Sequence, residues 1–581
     1  MHAKRHRHVL LGYLGPQKGR VLLLCALLAG SIGLPLAGPE LLRSFIDTAT
    51  GGGATGTLSL LAVLYIATAL AGQAVAVAAA YLSEQVGWIA TNLLRGDLAA
   101  HCLRLDLAFH NAHTPGELIE RIDGDITALA LFFSRFVTGV IGAGLLTLSM
   151  IVLMCREDLR VGGAFAAFTL VALLVLERCR SLAVPRLAEE RQASAELFGF
   201  VEERLSGADD IRANGAGNYV MQRYHRVAGN HFRRKRTAWT ANASVPIAGQ
   251  ALFAVAYLLV LALGAALYQR REVTLGTVYL FFQYTRMLRP PLLQITEQMK
   301  EFQKATAAIG RVRELLAFEP AIRDGRDVAL PGGALCLEFE HVTFAYGDDA
   351  GAPALTDLSF RLEPGQVLGL LGRSGSGKST LARLLFRLYE PGCGAIRLGG
   401  VDLRETRLAD LRRRVAVVTQ DVQLFQATVR DNLSFFDRSI GDKQLLDAIA
   451  ALGLEEWLRQ LPAGLDTELH SHGGGLSAGE AQLLAFARVF LTDPGLVILD
   501  EASSRLDPLT ERLIERAVDR LLAGRTGIVI AHRLATVRRA DRIVILDGGR
   551  IDEHGDRAAL AADRHSRFAR LLRTSMQEVL A

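Results

Sequence analysis

The sequence predicts a two-part fold: an α-helical transmembrane bundle of six helices per chain, followed by an α/β domain with a largely parallel sheet. Three observations carry this expectation. The chain has 581 residues, too many for one ordinary hydrophobic core. Half of it (50%) is hydrophobic, mean hydropathy is +0.25, and the apolar residues crowd into the first half. Beyond about residue 298 the long apolar runs give way to short ones, "VLGLLG", "RVAVVTQD", "GLVILDE", "TGIVIAH" and "RIVILDGGRI", with helical segments between most of them.

A helix needs about 20 mostly apolar residues to cross a hydrocarbon layer about 30 Å thick. Six stretches qualify, at roughly 20–42, 58–82, 131–154, 161–179, 244–268 and 275–297. They are too many and too poor in charge to suit the buried helices of a soluble domain. The run that begins at Val21 continues well past the length of a signal core, so an anchor is expected there and not a cleavable signal peptide. Short intervals such as "CREDLR" and "QRREV" alternate with long polar ones. "KRHRH" near the start and "HFRRKR" between the fourth and fifth spans place the N-terminus and the long segments in the cytoplasm, although Arg270 and Arg271 run against the positive-inside rule. A multi-pass protein of the plasma membrane is expected, with its second domain cytoplasmic. The expected boundaries are 1–310 for the membrane domain, with two long cytoplasmic loops, 311–334 for a linker and 335–581 for the α/β domain.

The formal net charge of +5 is small for this length and the basic residues are dispersed, so nucleic acid is not expected as a partner. Six cysteines stand singly, at Cys25, Cys102, Cys155, Cys179, Cys336 and Cys393, which indicates neither a disulfide framework nor a zinc site.

Directly after "VLGLL" comes "GRSGSGKST", residues 372–380, matching G-x-x-x-x-G-K-[ST] between a strand and a helix. Glycines let the backbone curl so that its N–H groups face phosphate oxygens, helped by the positive end of the following helix. Gly372, Ser374, Gly375, Ser376, Gly377, Lys378, Ser379 and Thr380 are the candidate cradle. Lys378 would neutralise the β and γ phosphates, and the Ser379 hydroxyl would ligate Mg²⁺. In "LVILDE", Asp500 ends an apolar strand and can hold Mg²⁺ through water, while Glu501 is the candidate general base for an attacking water. Gln420 and His532 also end apolar strands, and on a shared sheet edge they could touch the γ-phosphate, the metal and the water. An α/β P-loop ATPase domain, with ATP and Mg²⁺ as its ligands, is therefore expected.

In their order, "GRSGSGKST", "TQDVQLF", "LSAGEAQ", "VILDEASSRLDP" and "IAHRL" resemble the nucleotide-binding domain of ABC transporters. The six preceding spans resemble the exporter-type membrane domain fused to it in half-transporters. The resemblance implies that Tyr346 stacks on adenine and that Gly372, Gly375, Gly377, Lys378, Ser379 and Thr380 hold phosphate. It further implies that Gln420 senses Mg²⁺ and faces the membrane domain, and that Asp500 and Glu501 are the Walker B aspartate and catalytic glutamate. Asp507 then belongs to the interfacial D-loop and His532 is the switch histidine, while Ser477 and Gly479 are signature residues that complete the ATP site of the opposite subunit. The implied partner is a second half-transporter, identical or different. The implied activity is hydrolysis of ATP to ADP and phosphate coupled to exporting or flipping a lipophilic or amphipathic substrate, a small molecule or a lipid, across the bilayer. An exporter-shaped importer, for example of iron chelates, and a non-transporting regulatory membrane ATPase are the alternatives.

"HSHGGGLSAGEAQ" stands about twenty residues before Asp500, where that signature belongs, and His470 and His472 lack further ligands for a metal. It departs from the family pattern in three places: Ala478 stands for Gly, Glu480 for Gln and, upstream, Ser471 for Glu. Glu480 is expected to add negative charge near phosphates. "FHNAHTPGELIERIDGD", with Gly116, Glu117, Leu118, Arg121 and Asp125, resembles the first intracellular coupling loop and "LSGADDIRANGAG" the second, although by themselves their charges read more readily as a solvated helix connection. In the last span Arg286 lies about 11 residues from the outer end, roughly 16 Å deep at 1.5 Å per residue. It could line the pathway and favour an anionic or carbonyl-rich substrate, with Tyr279, Phe282 and Tyr284 supplying apolar contact, or it could pair with a carboxylate or snorkel.

Overall fold

The computed structural model describes residues 11–326, 328–347, 353–419, 422–469, 476–500, 508–531 and 534–580. The chain forms two compact units, Met1–Arg104 with Thr114–Glu319, and Leu105–His113 with Pro320–Ala581.

The first unit is built from α1 (Lys18–Thr50), α2 (Thr55–Cys102), α3 (Asp125–Phe136), α4 (Gly142–Glu157), α5 (Leu159–Ser206), α6 (Gly217–Gln269) and α7 (Leu275–Ala317). At 48 residues each, α2 and α5 are about 72 Å long, more than twice a hydrocarbon thickness, so their polar halves extend beyond it. Among the described residues five helices are long and apolar enough to cross a membrane, corresponding to α1, α2, α4, α5 and α6. The sixth predicted span forms as the first half of α7, where Gln283, Arg286, Arg289, Pro290 and Pro291 dilute the apolar run. The third span is not one regular helix: a π-helical turn at Val137–Ile141 joins α3 to α4.

Local chemistry sets the short connections. Asp158 breaks α4 from α5 and accepts from the N–H groups of Arg160 and Val161, capping the new helix. Thr274 caps α7, and Asp47 of α1 accepts from the Thr274 hydroxyl at 2.8 Å and from Gly276 N–H at 2.9 Å. Arg43 and Glu157 pair at 2.7 Å, tying α1 to α4 at the same end. Along α7, Leu280, Phe281, Tyr284, Leu288 and Leu292 pack into one core with Met150, Met154, Phe165 and Phe253. Tyr284 is therefore not the pathway contact expected of it: it is 0% exposed, with its hydroxyl 3.4 Å from the Leu36 carbonyl. Arg286, about 200° further round the helix, is exposed.

The second unit contains β1 (Leu337–Phe344), β2 (Leu355–Leu362), β3 (Val367–Gly372), β4 (Cys393–Leu398), β5 (Val401–Asp402), β6 (Val415–Val418), β7 (Leu496–Asp500), β8 (Thr526–Ile530), β9 (Arg542–Asp547) and β10 (Arg550–Asp556). They make an antiparallel sheet of order β2-β1-β4-β5 and a six-stranded sheet of order β10-β9-β3-β8-β7-β6, parallel throughout except at β10. The expectation of a largely parallel sheet thus holds for the larger one. Its inner strands read as unbroken apolar runs because both faces are covered. Leu368, Leu370, Ile498 and Ile528 face one core with Leu381 and Leu384, while Val497, Leu499 and Val529 face another with Leu483 and Phe486.

The first coupling segment divides. Leu105–His113, including a helical turn at Leu107–Ala112, folds with the second unit, where Asn111 donates to the Tyr389 hydroxyl at 2.9 Å. The "GELIERIDGD" part stays in the first unit: Glu117 pairs with Arg121 at 2.6 Å, and buried Asp125 takes a forked contact from Arg311. Asp125 is thus no solvated charge. The second segment, helix Ala208–Ala213, buries none of its residues and belongs to the first unit.

Candidate nucleotide site

The parallel strands β6, β7, β8 and β3 all end at one edge of the sheet. Leu370, Ile530 and Asp500 stand in one row across it, so the loop after β3 and the carboxylate closing β7 emerge together. Gln420, Glu501, Asp507 and His532 follow these strand ends in sequence and lie outside the described residues, as do His470, Ser471 and His472.

The loop after β3 curls through left-handed glycines, φ 81° at Gly375 and 103° at Gly377. A Cβ at Gly377 would stand 2.5 Å from Leu355 Cδ2 and 2.9 Å from the Ala354 carbonyl. Inside the curl Lys378 is 5% exposed, and its ammonium donates to the carbonyls of Gly372 at 2.7 Å and Arg373 at 2.9 Å. Ser376 is 4% exposed, yet among the described residues its hydroxyl has no hydrogen-bond partner. Leaving such a group unsatisfied costs about 1–3 kcal/mol. A cradle that holds a buried ammonium and an orphaned hydroxyl fits a phosphate chain. Lys378 opens helix α8 (Lys378–Leu385), so the helix's positive end faces the same space. Ser374 and Ser379 are open to solvent, as ligands of an incoming nucleotide and metal must be.

Tyr346, two residues past β1, is 40% exposed and braced from several sides. Phe344 and Tyr389 meet it edge to face at 4.9 and 5.2 Å between centroids. Its hydroxyl lies 2.9 Å from the Thr380 hydroxyl, which fixes the ring to the P-loop helix. Arg383 donates to that hydroxyl at 3.1 Å, a contact that nothing in the sequence signalled.

Short helices α9 (Val429–Ser434) and α10 (Glu455–Gln460) precede α11 (Ala478–Thr492), whose N-cap is Ser477. The Glu480 carboxylate does not point outward as a charge toward phosphates. It turns back on its own helix start and on the indole of Trp457. Further along α11, Arg488 donates to the Asn432 carbonyl at 2.6 Å, the Asn432 side chain at 2.9 Å and the Gln423 carbonyl at 3.0 Å, and lies 4.7 Å over the Phe435 ring. With no carboxylate in that set, burial lowers the Arg488 pKa to about 10, which leaves it charged at neutral pH. It binds the segment after Gln420 to the signature helix. Partners 56 residues apart in sequence leave no short-range pattern, which is why sequence reasoning missed this link.

A phosphate cradle beside a strand-end aspartate, in a chain whose other unit is a bundle of membrane-length helices, defines a membrane-anchored P-loop nucleoside triphosphatase. The family models sharpen this class: "ABC transporter transmembrane region" matches residues 21–292 and "ABC transporter" residues 355–504. The chain belongs to the ABC transporter family, as a half-transporter of exporter type that joins one membrane domain to one ATP-binding domain. A fatty acid ABC transporter ATP-binding/permease protein of Mycobacterium bovis is 32% identical over 512 residues, 87% of this chain and 79% of that protein. An ATP-dependent lipid A-core flippase of Chromobacterium violaceum is 32% identical over 517 residues, 87% of this chain and 86% of that one. In fold, the chain is similar to a bacterial Atm1-family ABC exporter with ATP bound, with TM-score 0.79 and 23% identity over 96% of this chain and 98% of that chain. It is thus a multi-pass membrane protein with an ABC-type ATPase coupled to transport.

Proposed function

We propose that this chain is one half of an ATP-driven exporter or flippase of the plasma membrane, with its N-terminus and ATPase domain cytoplasmic and an amphipathic anion as its substrate. The observation that carries the ATP-driven part is the cradle around Ser376, whose buried hydroxyl lacks a partner among the described residues beside the Lys378 ammonium. Tyr346 supports adenine, Lys378 and the loop N–H groups hold the phosphates, and Glu501 takes the proton of the attacking water, assisted by His532. Ser379, Gln420 and, through water, Asp500 are the residues that would hold Mg²⁺, which supplies charge neutralisation at the phosphates when bound. Ser477 and Gly479 serve the ATP of a second half-transporter, with Asp507 between the two sites. The functional division is 1–310 for translocation, 311–334 for the linker and 335–581 for the motor.

The substrate class rests on Arg286. It is exposed on α7, about 16 Å from the helix start, and among the described residues no carboxylate pairs with it. Arginine at the centre of a lipid-facing helix costs about 2.5–3.5 kcal/mol, so this face belongs toward a watery pathway or the second subunit. The relatives named for a fatty acid and for lipid A-core support an acyl-bearing substrate.

The test uses the purified chain in proteoliposomes, alone and with candidate partner half-transporters, supplied with a fluorescent fatty acid anion or the neutral alcohol of equal length. ATP-dependent movement of the anion away from the nucleotide side, with little of the alcohol, is expected. Lys378→Ala removes ATP binding, whereas Glu501→Gln retains binding and loses hydrolysis by about 100-fold or more. Movement toward the nucleotide side would instead make the protein an importer, and hydrolysis that never moves solute would make it a regulatory ATPase.

A further inference from the structure

Ser477 is fixed by a reciprocal capping box: its hydroxyl oxygen accepts from Glu480 N–H at 3.3 Å, and its own N–H donates to Glu480 Oε2 at 2.6 Å. The other carboxylate oxygen, Oε1, accepts from the indole Nε1–H of Trp457 at 3.1 Å. Trp457 is 9% exposed and packs in the core that also holds Leu483 and Phe486 of α11. Two donors from separate elements therefore converge on the two oxygens of one side chain.

Only a carboxylate satisfies both. A glutamine in this place keeps one acceptor oxygen and turns an NH₂ group toward the remaining N–H, donor against donor. Such a mismatch in a half-buried site costs more than the absence of one bond. The acceptance by Ser477 Oγ has a second effect: with a lone pair engaged by Glu480 N–H, the hydroxyl proton is left to donate away from the helix.

We propose that Glu480 is a positioning residue, matched to Trp457, that aims the Ser477 hydroxyl as a donor toward the nucleotide of the second subunit. The indole explains why glutamate stands where the family pattern favours glutamine. The carboxylate oxygens are turned inward onto two donors and so do not compete with the phosphates for the Ser477 hydroxyl. This rests on reading Ser477 as the signature serine.

The experiment measures steady-state ATP hydrolysis and nucleotide binding by the full-length chain in proteoliposomes for E480Q, W457F, the double variant and S477A. E480Q alone is expected to lower kcat by about five-fold or more and to lower the thermal midpoint slightly, while nucleotide binding at its own P-loop stays near wild type. In the W457F background the glutamine carbonyl is free to accept from Ser477 N–H, so E480Q there changes kcat by less than about two-fold. Equal cost of E480Q in both backgrounds, or no cost in either, overturns the pairing. Loss of nucleotide binding at its own P-loop in E480Q overturns the positioning role in favour of a purely structural one. S477A separates the two ideas: if it leaves hydrolysis unchanged, the signature reading itself falls, and if it abolishes hydrolysis while the cycle is additive, only the Glu480 inference falls.

Discussion

Gly377 shows how much a single backbone position decides in this site. Its φ of 103° lies where a side chain is strained, and an added Cβ would meet Leu355 of β2 and the carbonyl of Ala354 just before it at sub-van-der-Waals distances. Gly377→Ala is expected to cost about 1–3 kcal/mol and to open the curl that holds the Lys378 ammonium. Binding of a fluorescent ATP analogue checks this; affinity within two-fold of wild type would show that the loop tolerates the change. The requirement for glycine there was legible from the motif alone. The orphaned Ser376 hydroxyl was not, because satisfaction of a polar atom depends on what surrounds it in space. Glu480 makes the same point in reverse. Its charge was legible as a departure from the family pattern, but where that charge points is set by Trp457, 23 residues earlier.

Among the elements, α11 ties the signature serine to the segment after Gln420. It begins at the capped Ser477 and carries Arg488, which satisfies two carbonyls and an amide of the segment between Gln423 and Asn432. Arg488→Ala would take the guanidinium donors from the Asn432 and Gln423 carbonyls, while the Asn432 side-chain oxygen keeps the N–H of Phe425; the loss is about 2 kcal/mol and is expected to lower the ATPase domain's melting transition by about 4–8 °C. Arg488→Lys recovers little of this, since a point ammonium cannot reproduce the fork. Thermal melting of the full chain in detergent, followed by loss of hydrolysis, measures both; a shift below 1 °C for Arg488→Ala would remove the link. Within the membrane unit, the first half of α7 was legible as the sixth span, although two arginines and two prolines lower its hydropathy. The packed face of Leu280, Phe281, Tyr284, Leu288 and Leu292 is what makes it part of the bundle.

The whole molecule is incomplete in two respects, one at each unit. Its P-loop and its signature serve different nucleotides in the proposed assembly, and its membrane unit leaves Arg286 exposed at a depth where lipid does not accept an unpaired charge. Both gaps call for a second half-transporter. Arg286→Ala is expected to leave basal hydrolysis within two-fold while reducing the preference for a fatty acid anion over the equal-length alcohol by about ten-fold, the scale of one charge-assisted contact. Transport assays on the two substrates check this, and an unchanged preference would place anion recognition elsewhere. Leu105–His113 bears on coupling at the same scale. Six spans and a motor were legible in the sequence, but the folding of a piece of the first loop with the motor, through Asn111 and Tyr389, 278 residues apart, was not.

Hydropathy length, strand-helix alternation and the glycine spacing of 372–380 were enough to specify a membrane bundle, an α/β motor and its phosphate loop. Each is a local property: a helix long enough to cross lipid, a strand apolar on both faces, a turn that admits no side chain. Folding assigned the side chains that act through distant partners. Tyr284 went to the core instead of the pathway, Asp125 to Arg311 instead of solvent, and the Glu480 carboxylate to Trp457 instead of the nucleotide. The physical reason is common to all three: a charge or hydroxyl takes the environment that satisfies it, and that environment is assembled from residues far apart in the chain.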